Sequence, residues 1–208
     1  MRVFFYVQHL LGIGHLKRAA LRAELAKERA LDPGVPWIVV VAMMRAGDKL
    51  ASYRALAAAL ELLDDLPWRL VVAGDGVVRP EVEKLFGERA CFLGSLRQRR
   101  IAQVLAASDL CVWPAVNEAY GMALLEAEAA GVPVVSCDTR GVPDVVLNGR
   151  TGILVRYGDE AALAEAMREL LVNRERRHAL GREAARYVAG ERSLEAASAK
   201  LGAALSAL

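Results

Sequence analysis

The chain has 208 residues, with 27 Lys and Arg against 25 Asp and Glu, for a formal net charge of +2 at pH 7. Hydrophobic residues make up 55%, while 17 glycines and 7 prolines are close to average usage, which excludes intrinsic disorder, collagen-like repeats and small disulfide scaffolds. So balanced a charge gives no bulk electrostatic case for nucleic acid.

An apolar run at the start, Met1-Arg-Val-Phe-Phe-Tyr-Val, predicts a strand over 2–8. His9 and the turn Gly12-Ile-Gly-His15 interrupt it, and Lys17 and Arg18 follow, so it reads as neither a secretory signal nor a membrane span. Peripheral membrane contact stays open. A helix is expected over 15–30, then a turn-forming stretch with two prolines, Leu31-Asp-Pro-Gly-Val-Pro36. That stretch is the expected seam between a unit over 1–32 and a domain over 37–208. A single βα unit cannot bury its own faces, so it must dock on the larger domain or on another chain.

Beyond the seam, strands are predicted over 37–43, 69–73, 90–93, 109–113, 133–136 and 152–155. Helices are predicted over 49–64, 79–87, 98–107, 121–130, 160–172, 174–189 and 193–206. Several strands are apolar without alternation, as when helices cover both faces of a parallel sheet. The expected fold is therefore α/β, a Rossmann-like parallel sheet with helices on both faces, plus the extra N-terminal βα unit. Cys91, Cys111 and Cys137 sit in apolar runs without a CxxC pair, which predicts reduced core thiols in a cytoplasmic protein. No metal-ligand spacing is visible, and neither His9 nor His178 has a partner that can be named from sequence.

The segment Asn117-Glu-Ala-Tyr-Gly-Met-Ala-Leu-Leu-Glu126 runs on as Ala-Glu-Ala-Ala-Gly-Val-Pro-Val-Val135. Glu118 falls on the loop between strand 109–113 and a helix starting near Gly121, at the sheet edge where α/β proteins bind ligands. Glu126 follows eight residues later, two helical turns along and near the same face. Each carboxylate can accept two hydrogen bonds from vicinal hydroxyls, which suits a sugar and a ribose. Taken alone, both also fit solvated carboxylates near a helix N-terminus. Asp48 fits an N-cap for the helix that follows it. Gly74-Asp-Gly76 reads first as a tight turn, and Arg97-Gln-Arg-Arg100, lacking interleaved aromatics, as a solvated helix face rather than a nucleic-acid site.

EAYGMALLEAEAAGVPVV is similar to the E-G-F-G-x-x-x-x-E-A-M-A-x-G-x-P-V-V segment of retaining glycosyltransferases of family 4, which have the GT-B fold. Ala119, Tyr120 and Glu128 depart from that pattern. The resemblance extends in family order through Ala73-Gly-Asp-Gly76, Phe92-Leu-Gly-Ser95, Ala107-Ser-Asp-Leu110, Gly141-Val-Pro-Asp-Val-Val146 and Asn148-Gly-Arg-Thr-Gly152. It implies a donor-binding half that helps to transfer a sugar from a nucleoside-diphosphate sugar, UDP- or GDP-linked, to an acceptor hydroxyl with retention. Glu118 would contact sugar hydroxyls and Glu126 the ribose, while backbone at Gly121, Met122 and Ala123 would approach sugar and diphosphate, and that at Gly74 a phosphate or a base. Arg45 and Lys49 would neutralise the leaving diphosphate, and Leu96 and Arg97 would hold the base. FFYVQHLLGIGHLKRA resembles the opening βα unit of MurG-like GT-B enzymes, which implies loop contacts from Gly12, Gly14 and His15.

The resemblance implies no cofactor and no metal, a carbohydrate or lipid-linked acceptor, and no nucleic acid. The acceptor half would be largely absent between about residues 30 and 36. It would then come from a partner chain, or a homodimer would exchange the orphan units. The other readings are a non-catalytic nucleotide-sugar-binding module and a GT-B nucleotide-sugar epimerase. A plain NAD-binding protein is disfavoured, because no GxGxxG opens a helix after a strand.

Overall fold

The computed structural model describes residues 15–206. The strand expected over 2–8, the candidates Gly12 and Gly14, and the side chain of His15 lie outside the described residues. The elements run α1 (His15–Arg29), β1 (Trp37–Val41), α2 (Asp48–Glu61), β2 (Arg69–Ala73), α3 (Arg79–Phe86), β3 (Ala90–Gly94) and α4 (Gln98–Ala107). They continue as β4 (Leu110–Trp113), α5 (Met122–Ala129), β5 (Val134–Asp138), β6 (Gly152–Arg156), α6 (Glu160–Val172), α7 (Arg174–Glu191) and α8 (Leu194–Ser206). Two 3₁₀ turns, Gly87–Arg89 and Val142–Asp144, fall where the apolar pattern carries no period.

The six strands form one sheet in the order β3-β2-β1-β4-β5-β6, and every pairing is parallel. Strands such as WIVVV and LCVW are buried on both faces, so their side chains need no alternation. α2 and α3 pack with α6 on one face, and α1, α4, α5 and α7 pack on the other. This is the doubly wound arrangement, with its switch point between β1 and β4. There Ile38 pairs with Leu110 and Val39 with Cys111, and the chains leaving β1 and β4 diverge to opposite faces.

Trp37, Tyr53, Leu56, Leu70 and Leu105 are fully buried in the core. The Tyr53 ring stands edge-on to Trp113 at 5.0 Å, and its hydroxyl donates to the Ala42 carbonyl at 2.9 Å. All three cysteines are free, and burial pushes the Cys111 thiol up to about 12 and the Cys137 thiol up to about 11. The α1 helix lies along α4 and buries Leu25 and Ala26. Arg100 of α4 pairs with Glu24 and Glu28 of α1, so part of the expected solvated face 97–100 is used to dock that helix. The turn-forming stretch over 31–36 is also pinned, because Arg22 donates to the Pro33 and Val35 carbonyls and Trp37 Nε1 to the Asp32 carbonyl. Among the described residues no helix is long and apolar enough to cross a membrane.

Candidate active site

Helices that cross over between parallel strands present their amino ends at the carboxyl edge of the sheet. At the switch point this produces a cleft of about 510 Å³, in the size range of small-molecule sites. One wall is Val41, Ala42 and Met43 with Lys49 on the first turn of α2, and the other is Trp113, Glu118 and the start of α5. Gly74 and Asp75 after β2, with Ser95 and Leu96 after β3, close the far side.

Two features bring the β1 and β2 loops close enough to make that wall. Gly74 has φ +152°, and a Cβ there would stand 1.9 Å from the Ala42 carbonyl oxygen. Gly76 has φ +151°, and a Cβ would stand 2.1 Å from the Met44 carbonyl oxygen. Only glycine fits such an approach. The Met44 N–H then donates to the Asp75 carbonyl at 2.9 Å, and the Val78 N–H to the Met44 carbonyl at 3.2 Å.

The loop from β4 to α5 holds unusual backbone. Ala115 and Asn117 have φ of 58° and 55°, and Gly121 reaches φ 89° as the N-cap of α5. Left-handed conformations at non-glycine residues cost free energy and persist where neighbours enforce them. Here α2 enforces them. The Val116 N–H donates to Ser52 Oγ at 3.0 Å, and Asn117 Nδ2 donates to Asp48 Oδ2 at 2.8 Å. Lys49 Nζ donates to Glu118 Oε2 at 2.5 Å and lies 5.4 Å from the centre of the Trp113 ring. Asp48 is therefore not the N-cap of α2: that position is Gly47, and the Asp48 carboxylate faces the opposite loop instead.

Of the candidate residues, Lys49, Gly74, Leu96, Glu118, Gly121, Met122 and Ala123 all line the cleft. Arg45 stands outside its lining, exposed at the end of the β1 loop with no carboxylate partner among the described residues. Arg97 is exposed as the N-cap of α4. Glu126 also lies beyond the lining, half-buried on α5, and burial pushes its carboxyl up to about 7. Ser52, Asn117 and Trp113 had no role assigned from sequence. Asn at the αL position before Glu118 was the one readable signal, since asparagine tolerates that conformation. His178 does have a neighbour, accepting from Arg174 Nε at 3.4 Å. Among the described residues no group of three or more His, Cys, Asp or Glu side chains is placed to hold a metal ion.

Residues 35–173 match the model of the family described as glycosyl transferases group 1. The chain is 36% identical over 189 residues to the D-inositol 3-phosphate glycosyltransferase of Nocardia farcinica, covering 83% of this chain and 40% of that protein. It thus spans well under two thirds of the relative's length. Among solved structures, Anabaena HepE in complex with UDP-glucose aligns with a TM-score of 0.76 at 18% identity, over 91% of this chain and 53% of that one. The C-terminal domain of the group 1 protein LpcC from Francisella tularensis aligns with a TM-score of 0.69 at 18% identity, over 83% of this chain and 93% of that one. With the six-stranded parallel sheet of GT-B structures and a family match across most of its length, the chain belongs to the glycosyl transferases group 1.

Proposed function

We propose that this chain is the donor-binding half of a retaining glycosyltransferase, taking a nucleoside-diphosphate sugar in the switch-point cleft. The observation that carries the reading is the pair between Lys49, on the first turn of α2, and Glu118, on the facing loop of that cleft next to the amino end of α5. A helix amino end and the paired Lys49 suit a diphosphate, with the exposed Arg45 side chain reaching in from the end of the β1 loop, and Glu118 suits the hydroxyls of the adjoining sugar. The anomeric carbon–oxygen bond breaks, and its electron pair leaves with the nucleoside diphosphate, whose new charge the two cations meet. The acceptor oxygen bonds to the same face of the anomeric carbon, and its proton passes to the released phosphate oxygen. The base lies toward Leu96 and Arg97, and Glu126 receives the ribose hydroxyls. The family resemblance assigns loop contacts to Gly12, Gly14 and the side chain of His15, which lie outside the described residues, and the reading needs no cofactor.

The acceptor, a carbohydrate or lipid-linked alcohol, is held by a partner domain, whether in a second chain or in a dimer of this one. The donor-half reading is supported by the overlap of this fold with the C-terminal domain of a group 1 protein. A cytoplasmic location fits the three free cysteines.

Calorimetric titration with UDP-glucose, the ligand in the HepE complex, tests the site. Arg45→Ala and Glu126→Ala are each expected to weaken binding by about 1–3 kcal/mol, the loss of a charged hydrogen bond. Ribose hydroxyls donate to the ionised carboxylate of Glu126, so binding is expected to tighten as pH rises through about 7. Glu126→Gln removes that dependence. Unchanged affinity in both alanine variants overturns the site, and full turnover by this chain alone overturns the half-enzyme reading.

A further inference from the structure

At the opposite, amino edge of the sheet, α1 and α7 wall a second cavity of about 560 Å³. Its lining includes five arginines: Arg18 and Arg22 from α1, and Arg174, Arg177 and Arg182 from α7. His178 lines it too, and Asp109, just before β4, is the one carboxylate among the lining residues. Three of these arginines have evident structural work. Arg18 donates to the carbonyls of Ala106 and Gly131, Arg22 to that of Ala107, and Arg177 to those of Leu170 and Leu171. They thereby satisfy the carboxyl ends of α4, α5 and α6, which converge here and carry negative partial charge.

That work does not account for all the positive charge. Asp109 is shared between Arg22, at 2.7 Å, and Arg177, at 3.8 Å, and it also accepts from the Trp37 N–H. Each helix end offers roughly half a negative charge, so three ends and one carboxylate balance about half of the five guanidinium groups. Arg174 and Arg182 have no carboxylate partner among the described residues. With His178 they occupy positions i, i+4 and i+8 on α7, along one face of the helix. The surplus, between two and three positive charges, faces into a concave site walled by protein on two sides.

We propose that this basin binds a phosphate dianion of the monoester type, gripped by Arg174 and Arg182 and backed by Arg18. Guanidinium forks match phosphate oxygens in pairs, and a dianion matches the unbalanced charge. The phosphate has two sources, a soluble phosphomonoester or the headgroup of a lipid such as phosphatidic acid. The basin lies across the sheet from the donor cleft, so its occupancy does not depend on the donor reading.

The full chain is titrated with inorganic phosphate, following thermal stability against sodium chloride of matched ionic strength. A saturable rise in Tm beyond that of chloride is expected. The double variant Arg174→Ser/Arg182→Ser changes two exposed side chains and is expected to lose at least tenfold in phosphate affinity while keeping its affinity for UDP-glucose. Arg45→Ala is expected to keep the phosphate response. No saturable response, or one that survives the double substitution, overturns the proposal; the latter result would place phosphate at Arg45 and Lys49 instead. Co-sedimentation with vesicles of phosphatidic acid in phosphatidylcholine separates the sources. Vesicle binding that the double variant loses identifies the headgroup, and phosphate binding without vesicle binding identifies the soluble ester.

Discussion

The two edges of the sheet solve opposite electrostatic problems with different residues. At the carboxyl edge, helix amino ends supply positive partial charge without side chains, and the demand is for close backbone approach. Glycines at 74, 76 and 121 and left-handed Ala115 and Asn117 meet that demand, with a single Lys49–Glu118 pair at the centre. At the amino edge, helix carboxyl ends converge, and arginine side chains must reach in to neutralise them. The direction of the parallel strands decides which edge accumulates glycine and which accumulates arginine.

Three substitutions would break or sharpen this contrast. The largest effect is expected from Gly74→Ala, whose Cβ would collide with the Ala42 carbonyl in a backbone conformation hostile to L side chains. A loss of about 3 kcal/mol or more in urea unfolding is expected, together with weakened UDP-glucose binding, because the wall of the cleft must move. A smaller loss of about 2 kcal/mol is expected for Asp109→Ala, which strips the carboxylate from Arg22 and Arg177 and leaves the Trp37 N–H unpaired. This variant should keep its affinity for UDP-glucose. A large loss of donor binding would mean that the two edges are coupled and not independent.

The third substitution lies between the edges. Glu128 on α5 is fully buried, and neither carboxyl oxygen meets hydrogen-bond geometry with a partner. Burial pushes its carboxyl up to about 8 from an ordinary 4.5, outweighing the Thr151 hydroxyl and the Arg192 charge, which pull it down. The folded chain therefore holds a proton that the unfolded chain releases between those values. Stability from this group is complete below pH 4.5 and is lost as pH rises through about 8. Glu126, pushed up to about 7, acts in the same sense. Glu128→Met is expected to stabilise the protein by about 1–2 kcal/mol at pH 9 and by less at pH 5, flattening the pH profile. A profile that Glu128→Met leaves unaltered would show that the carboxyl is hydrated or paired in solution.

Most of the sheet was readable from the chain because its strands are short, apolar and bounded by turn residues. Arg69–Ala73, Gln98–Ala107 and Glu160–Val172 match their predicted ranges residue for residue. The helix expected over 49–64 stops at Glu61, since Leu62 to Asp65 turn to bring Leu63 into the core. In the candidate site, Glu118 was legible as a carboxylate on a loop at the carboxyl edge of the sheet, and Lys49 only through the family resemblance. Their contact across 69 residues was not, and neither was the link from Asp48 to Asn117. Local spacing favoured Asp48 as a cap, because a cap is a short-range motif and a cross-loop hydrogen bond leaves no periodic trace. The basic basin was illegible for the same reason: its arginines lie on two helices some 150 residues apart and meet only when the sheet is complete.

The strand order also governs when each part of the protein can form. β1 and β2 pair through Trp37 and Arg69, whereas the ladder at the switch point joins Ile38 to Leu110. Closing the longer loop costs about 0.7 kcal/mol more in chain entropy than closing the shorter one. It must also wait until β4 has left the ribosome. Lys49 is synthesised long before Glu118 and has no partner in the cleft until that ladder closes. The cleft thus cannot assemble before that ladder closes, yet it needs nothing beyond the start of α5, whereas the basic basin must wait for α7 as well.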